Sequence, residues 1–500
     1  MNFIPFYILI FPILAHDKDD RKLLSANYKG VVSWAWLNGS KDGGDSPTSD
    51  YPGSRFGSNV FWDKNTERIL LFGGRTSTSK SSNDLWAFYP KTSSWKLIKR
   101  VENGEKAPQE RRFHSSCGTT DKTMVIFGGE NKNQFLNDTW IFNVSENDWL
   151  EIKSANRPSS RSEAVTWCTN AQMYMYGGIT ENNIVLDDFW IFNLLKLQWN
   201  KVNNNHIPGK RHGSASWEGK DQCLYMFSGN SQDNIDRSRN LGIGLTNEMW
   251  KFCKVDEKWK NISNSRGHTG RSSIGEFGKE SKLNFPGARK LAATWTDLNG
   301  SLWMFGGEGL DDEKNNILFK RDKLLSDIWR FNATSNLWTF IGGFKEGERH
   351  ALYGPKGKSS IEYLPGPRYA PTFWTYDNKL YLYGGRGHNA KNETAILSDL
   401  WKADLVFSNG DVRNELKLSN GAIFIICFST VAGVALFVGI FFFLKNLANI
   451  PRLAPLPRKE RSKRRLLKDV SYSRVETEDP LLNYTTDEDT EEEELIERNI

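Results

Sequence analysis

The amino-acid sequence predicts an all-β domain made of six similar four-stranded units, followed by one transmembrane helix and a disordered cytoplasmic tail. Two observations predict the units. An apolar run that ends at a glycine pair, or nearly so, occurs six times, and an acidic residue two positions before a Trp follows each run. A third observation predicts the helix, because residues 422–444 carry no charge and about 20 apolar residues span a bilayer. Spacings of this size between similar segments indicate a repeat architecture.

Each repeated unit, called a copy below, divides into four strand-like segments. The second segment is the apolar run, the third carries the acid and its Trp, and the fourth carries another Trp. The six apolar runs occupy residues 69–74, 124–129, 173–178, 224–229, 302–307 and 380–385, and Ser228 replaces one glycine of the fourth run. Of the 19 Trp, 17 occupy one of three positions of the repeat, which predicts that they pack between units rather than hold a ligand.

An arginine opens the first segment of every copy and an acid opens the third. The arginines are Arg55, Arg112, Arg161, Arg211, Arg289 and Arg368. The acids are Asp84, Asp138, Asp188, Glu248, Asp327 and Asp399. Since the first and third strands run in the same direction, both residues begin on one face. We expect a ring of bidentate pairs that hold the strands in register, and an arginine-lined anion site is the alternative.

This order of arginine, glycine pair, acid-x-Trp and second Trp resembles the kelch repeat over about residues 31–405. The resemblance implies a β-propeller with one four-stranded blade per copy, six in all. The sixth copy lacks its fourth strand, whereas residues 31–37 look like a fourth strand without a copy. We therefore expect residues 31–37 to complete the sixth blade, because ring closure removes exposed sheet edges.

The two ends of the chain predict a single-pass type I membrane protein with its N-terminus outside. The apolar run within residues 1–15 is typical of a signal peptide, with an N-terminal anchor as the alternative. Residues 406–421 form a linker, and residues 445–500 begin with basic residues and are expected to be cytoplasmic. Seven sequons precede the helix, and we expect glycans at Asn38, Asn143, Asn261, Asn299, Asn332 and Asn392; the seventh is Asn137.

Cysteine positions favour a disulfide bond in the fourth copy. Cys223 begins the second strand and Cys253 ends the third, so antiparallel pairing brings them together. A pair between Cys117 and Cys168 is left open. In the tail, Tyr472 to Val475 and Glu491 with Leu495 and Ile496 resemble endocytic sorting signals that bind clathrin adaptors. The alternative is a disordered acidic tail that is simply solvated.

Long loops indicate the partner-binding face. Strand alternation places the insertions at 230–246, 263–288, 308–326, 343–367 and 386–398 on one face. From these loops we select as binding residues Arg237, Arg266, Arg271, Arg349, Tyr353 and Arg386. The expected partner is an extracellular or lumenal protein or glycan, and the alternative is that the insertions are merely tolerated. The net charge of +6 is too small for this length to indicate nucleic acid.

Catalytic signals are weak. The enzymatic relative of the kelch propeller is galactose oxidase, which has a copper site of Tyr and His ligands. In this sequence the seven His are scattered, with no spacing suited to a metal, and His114 and His212 are expected near the central channel. We therefore predict no cofactor, no metal and no enzyme activity, and interpret the chain as an adhesion or sorting receptor of the plasma membrane or endolysosomes. The alternative is an ectoenzyme on the same scaffold.

Overall fold

A computed structural model describes residues 32–405, apart from 79, 102–104, 121–122, 133, 170, 204–206, 232–243, 264–269 and 313–321. The described residues form strands, turns and irregular segments, with no helix. Within them, therefore, nothing has the length and apolarity of a membrane-spanning helix. The predicted signal peptide, linker, transmembrane helix and tail lie outside the described residues.

Strands of the first two copies follow the opening strand β1. In chain order they are β1 (Val32–Asn38), β2 (Arg55–Phe56), β3 (Asn59–Asp63), β4 (Arg68–Phe72), β5 (Arg75–Thr76), β6 (Leu85–Tyr89), β7 (Ser94–Lys99), β8 (Ser115–Thr120), β9 (Thr123–Phe127), β10 (Glu130–Asn131), β11 (Gln134–Phe135), β12 (Thr139–Asn143) and β13 (Asp148–Ile152). The five-residue strands β4, β9 and β12 are predominantly apolar and buried, as expected for strands covered on both sides.

The third and fourth copies continue the pattern. Their strands are β14 (Val165–Cys168), β15 (Gln172–Ile179), β16 (Val185–Asn193), β17 (Gln198–Val202), β18 (Arg211–His212), β19 (Ala215–Glu218), β20 (Cys223–Phe227), β21 (Asn230–Ser231), β22 (Gly244–Leu245), β23 (Met249–Cys253) and β24 (Lys258–Asn261). The fourth strands β17 and β24 each bury one Trp among exposed polar residues, as expected for outer strands with one side in solvent.

The fifth and sixth copies complete the strand order. Their strands are β25 (Arg289–Lys290), β26 (Ala293–Thr296), β27 (Leu302–Gly309), β28 (Lys323–Asn332), β29 (Leu337–Gly342), β30 (Ser359–Ser360), β31 (Arg368–Tyr369), β32 (Thr372–Tyr376), β33 (Lys379–Tyr383), β34 (Arg386–His388), β35 (Thr394–Ile396) and β36 (Leu400–Leu405). Each copy therefore contributes a first, second and third long strand in sequence.

The long strands form six main antiparallel sheets, each numbered here by the copy that supplies its first three strands, and short strands pair in small separate sheets. The strand orders are β3-β4-β6-β7, β8-β9-β12-β13, β14-β15-β16-β17, β19-β20-β23-β24, β26-β27-β28-β29 and β32-β33-β36-β1. Six apolar clusters lie between consecutive sheets, and one of them joins sheet 6 to sheet 1. The core is therefore distributed around a closed circle of sheets, an arrangement consistent with a kelch β-propeller.

The N-terminal strand supplies the fourth strand of sheet 6. β1 pairs antiparallel with β36, with Trp34 opposite Ala403 and Val32 opposite Leu405. The Trp34 side chain is fully buried, and its ring lies 5.6 Å from that of Phe305 in sheet 5. One strand from the beginning of the domain and three from its end thus make a single sheet.

A ring of backbone hydrogen bonds surrounds the central axis. It involves one residue near the start of each copy: Gly57, Phe113, Glu163, Gly213, Leu291 and Ala370. Each N–H donates to the carbonyl of the corresponding residue in the preceding copy, at 2.8 to 3.1 Å, and Gly57 donates to Ala370 to close the circle. All six residues have positive φ, between 49° and 68°, even where a side chain makes this costly. We call these six residues the axial ring.

Two insertions cover the outer edges of sheets 5 and 6. The described part of 263–288 lies beside β29, where the Asn284 amide donates to the Trp338 carbonyl at 3.0 Å. Within 343–367, β30 pairs with β1 and places Ser360 opposite Trp34. Unpaired outer edges invite aggregation, so covering them protects these two sheets.

Candidate binding face around the central axis

Six arginine–carboxylate pairs lie at one end of the sheets. They are Arg55–Asp84, Arg111–Asp138, Arg161–Asp188, Arg211–Glu248, Arg289–Asp327 and Arg368–Asp399, with nitrogen–oxygen distances of 2.5 to 3.0 Å. The acid in each pair also accepts a hydrogen bond from the Trp two residues later, at 2.6 to 3.0 Å. Every arginine of these pairs is buried, so the pairs join first and third strands and leave little guanidinium for a ligand.

The expected ring position of Arg112 is wrong, and Arg111 occupies it. Arg112 contacts Glu130 instead, with its Nε 2.7 Å from Oε1. The ring arginine precedes the first glycine of the glycine pair by 16 to 18 residues, and Arg111 and Arg112 both fall within that range. Because side chains alternate along a strand, a one-residue shift changes the direction in which the guanidinium points.

The environment of three ring acids favours their charged form. Burial alone would raise the pKa of Asp84, Asp138 and Asp188, but the guanidinium partners and the Trp hydrogen bonds outweigh burial and lower these pKa values. Burial likewise opposes the charge of Arg368, yet Asp399 raises its pKa. These charges therefore act as a structural support.

Next to the arginine–carboxylate pairs lie twelve residues, paired two by two, that we call the rim. Each copy contributes the residue after the ring arginine and the residue after the glycine pair, and the two are opposite each other in backbone register. The pairs are Phe56–Arg75, Arg112–Glu130, Ser162–Ile179, His212–Asn230, Lys290–Glu308 and Tyr369–Arg386. The rim surrounds the axial ring on the face of the long loops.

Aromatic rings and cations occupy one sector of this surface. The Phe56 ring lies 5.8 Å from Phe113 and 6.0 Å from Tyr369, in edge-to-face geometry. The Arg112 guanidinium lies over Phe56 and Phe113, 5.3 and 5.1 Å from the ring centroids. Such contacts fix the orientation of large side chains at a partly solvated surface.

The opposite sector is a charge network. His212 Nδ1 lies 2.7 Å from Glu163 Oε2, and Lys290 Nζ lies 3.3 Å from Glu308. Burial would raise the pKa of Glu163, but His212, Lys290 and Arg112 lower it. Burial would lower the pKa of Lys290, but Glu308 and Glu163 raise it. The cation Lys290 of this sector therefore has carboxylate partners within the protein.

A cavity of about 220 Å³ lies along the axis at the axial ring. Residues from the first segment of all six copies line the cavity. Several of them carry hydroxyl groups, among them Ser115, Ser116 and Ser216. His114 also lines the cavity and is buried, with neither ring nitrogen hydrogen-bonded. Burial, together with the Arg111 charge, lowers the pKa of His114 to about 3, so its imidazole is neutral. In the described residues, no group of three potential metal ligands is assembled.

The binding residues selected from the sequence occupy different environments. Arg237 and Arg266 lie outside the described residues. Arg271 lies 4.0 Å from buried Asp311, and Arg349 lies 3.7 Å from Glu346. Arg386 is exposed and belongs to the rim.

The selection of Tyr353 as an accessible binding residue is wrong. Tyr353 is buried and donates its hydroxyl to Asp399 Oδ2 at 2.7 Å. Burial, and then the Asp399 charge, raise its pKa well above the usual value. The cause of the error is that its loop folds onto sheet 6 instead of projecting into solvent.

Arg75, Phe113 and Tyr369 were not selected from the sequence. They lie at repeat positions where residue type differs between copies, immediately beside positions that hardly change. That contrast between neighbouring positions is the sequence signal for these residues.

The structure also places the predicted disulfide and glycosylation residues. Cys223 is bonded to Cys253 across β20 and β23, and Cys117 is bonded to Cys168 between sheets 2 and 3. The sequon residues Asn261, Asn299 and Asn392 are exposed, whereas Asn38, Asn143 and Asn332 are half-buried. The predicted sorting residues lie outside the described residues.

Comparison with known proteins identifies the repeat. Residues 44–206 match the family model of the KLHDC2/KLHL20/DRC7 Kelch-repeats domain. An F-box/kelch-repeat protein of Arabidopsis thaliana is 34% identical over 121 residues, which cover 22% of this chain and 25% of that protein. Kelch domain-containing protein 3 of Homo sapiens is 27% identical over 207 residues, or 39% of this chain and 51% of that protein. The chain thus spans about a quarter to a half of these relatives.

Among solved structures, that of YjhT aligns with a TM-score of 0.47 and 15% identity, covering 70% of this chain and 95% of that one.

Proposed function

Taking the chain as a kelch-repeat protein, as the comparisons support, we propose that residues 32–405 form a six-bladed propeller that binds a protein partner at the rim. Kelch repeats generally mediate protein binding. The observation that carries the proposal is the contrast between the rim and the ring pairs behind it. The ring pairs have the same chemistry in every copy, whereas the rim residues differ from copy to copy. Variable side chains on a rigid, invariant support suit specific recognition.

We propose further that this domain is the extracellular or lumenal part of a single-pass membrane protein whose function is adhesion or sorting rather than catalysis. The apolar segment 422–444, the exposed sequon residues and two disulfide bonds support this location, because disulfides persist in oxidising compartments. The partner is then an extracellular or lumenal protein, or a glycan carried by one, and the tail recruits adaptors.

Partner capture by the full-length chain tests the site. A Tyr369→Ala variant removes a half-buried aromatic side chain from the rim. The control is Leu195→Ala, which removes an 84% exposed side chain from the turn between β16 and β17, on the other face. We expect the parent and the control to recover the same partners by mass spectrometry, and Tyr369→Ala to recover them poorly while melting like the parent. Equal recovery by both variants would place the site elsewhere.

Protease protection and glycosidase treatment of the full-length chain test the location. In sealed membrane vesicles, we expect the domain to be protected and to shift in mass on glycan removal, while the tail is digested. A digested domain without glycans would contradict the proposed topology.

A further inference from the structure

The charges of the rim are not evenly compensated. Arg112 has Glu130 as a partner, and Lys290 has Glu308. Arg75 and Arg386 make no ion pair with any described carboxylate, and the Arg386 guanidinium donates to the Tyr369 hydroxyl at 3.5 Å. Two of the four Lys and Arg side chains of the rim are therefore uncompensated within the described residues.

The two uncompensated arginines belong to neighbouring copies. Arg75 is opposite Phe56 in the backbone register of copy 1, and Arg386 is opposite Tyr369 in that of copy 6. The Phe56 and Tyr369 rings lie 6.0 Å apart, so they connect the two arginine-bearing pairs. The link between copies 6 and 1 is rigid, because the Gly57 N–H donates to the Ala370 carbonyl at 3.0 Å.

Half-buried aromatic surface lies directly beside these cations. Tyr369 and Phe113 are each partly exposed on either side of buried Phe56. A ligand that reaches both arginines therefore also meets aromatic surface. Arginine is suited to carboxylates because its planar guanidinium donates two parallel hydrogen bonds. The guanidinium is also more weakly hydrated than an ammonium group.

We propose that the sector of Arg75, Phe56, Tyr369 and Arg386 recognises an acidic segment of the partner protein, with a carboxylate against the arginines and an apolar or aromatic side chain against Tyr369 and Phe113. This inference rests on the proposed function and gives the chemistry of the partner. In the remaining sectors the Lys and Arg side chains of the rim have carboxylate partners, so these sectors add contact area with less selection for charge. Arg75 and Arg386 determine specificity, and Tyr369 is the aromatic anchor.

Charge complementarity has measurable consequences. Charge-assisted hydrogen bonds from arginine to a carboxylate are stronger than neutral ones, so the loss of both arginines is expected to weaken binding at least tenfold. The attraction is screened by salt, with a Debye length of about 8 Å at physiological ionic strength. Binding is therefore expected to fall as salt rises.

Selection from a random library of 12-residue peptides displayed on phage tests the inference. The full-length chain is immobilised in detergent, and recovered clones are rescreened on Arg75→Gln/Arg386→Gln and on Tyr369→Ala. The matched control is Arg100→Gln/Arg157→Gln, which removes two exposed arginines from the same face outside the rim. A further variant, Arg75→Lys/Arg386→Lys, keeps the charge without the planar fork.

We expect acidic clones that bind the parent and the control, lose at least tenfold on Arg75→Gln/Arg386→Gln, and recover in part on the lysine variant. Neutral or basic clones, no enriched clones, or clones indifferent to the glutamine variant would overturn the inference. Clones lost on Tyr369→Ala but kept on the glutamine variant would reject only the acidic partner. Clones kept on all rim variants would reject the proposed rim site as well.

Discussion

Tyr353 donates its hydroxyl to Asp399 Oδ2 at 2.7 Å, and through this bond the segment 343–367 is joined to the ion pair of the sixth copy. Asp399 also accepts from Arg368 Nη2 at 2.8 Å and from Trp401 Nε1 at 2.6 Å. One carboxylate therefore connects the first strand, the third strand and the segment that covers β1. Segment 343–367 is part of the folded core here.

Tyr353→Phe should destabilise the domain without affecting partner binding. The change removes one buried hydrogen bond and leaves the ring, so we expect a loss of about 1–2 kcal/mol in the free energy of unfolding. Urea unfolding followed by Trp fluorescence measures it. A variant of parental stability that loses its partner would instead return Tyr353 to the binding site.

Asp327→Asn should be far more harmful than Glu248→Gln. The Asp327 side chain is 6% exposed and its partner Arg289 is fully buried, whereas the Glu248 side chain is 40% exposed. Asp327→Asn leaves a buried guanidinium without its counter-charge, at a cost of about 3–5 kcal/mol. Glu248→Gln should cost less, because water reaches the half-exposed Glu248 carboxylate and screens its attraction to buried Arg211. Equal losses in urea unfolding would show that burial does not set the strength of these pairs.

Trp34→Ala should cost about 3–5 kcal/mol, because its indole is completely buried between sheets 5 and 6. Trp36 lies on the same strand and is only partly buried, so Trp36→Ala is the matched control and should cost less. Thermal melting of both variants measures the difference. If the two variants melt alike, β1 does not hold sheet 6 through Trp34.

His114 should make the domain sensitive to mild acid. Its pKa is about 3 in the folded chain against 6.5 for the unfolded residue, so the unfolded chain binds the additional proton between these values. The contribution to stability is complete above pH 6.5 and is lost as pH falls from 6.5 towards 3. At pH 5 the loss is about 2 kcal/mol relative to pH 8.

His114→Ser tests this with the residue found at the same repeat position in copies 1 and 4, Ser58 and Ser214. The variant should lose about 2 kcal/mol less than the parent between pH 8 and pH 5. Parallel curves of stability against pH for parent and variant would contradict a buried neutral imidazole.

Much of the fold could be predicted because the repeat reports the same physical requirement six times. The pairing of Arg289 with Asp327 follows from the common direction of the first and third strands. The place of Trp34 in sheet 6 follows from the missing fourth strand of the sixth copy. The sequence pattern predicts Arg112 in the ring, whereas Arg111 lies there, because the spacing to the glycine pair is not constant. A shift of one residue decides which of the two neighbouring arginines reaches the carboxylate, and the sequence pattern does not show this shift.

The candidate site was less predictable, because loop sequence does not show what a loop packs against. Tyr353 and Arg349 have similar sequence surroundings, yet one is buried and the other only partly covered. The repeat does not single out Arg75 either, because the residue after the glycine pair differs from copy to copy. Its proximity to Arg386 comes from closure of the chain between residues more than 300 positions apart, a relationship visible only in three dimensions.

Pairing between β1 and β36 has a consequence for the order of events during synthesis. β1 leaves the ribosome first, and its partner strand is made last. At translation rates of about 5–20 residues per second, the wait is roughly 20 to 70 seconds. During that time β1, which carries Trp34 and Trp36, has no partner strand, because the other strands of sheet 6 are made last. The pairing of β1 with β36 can therefore occur only after the last copy has been made. A chaperone that binds residues 32–38 would shield the unpaired strand until then.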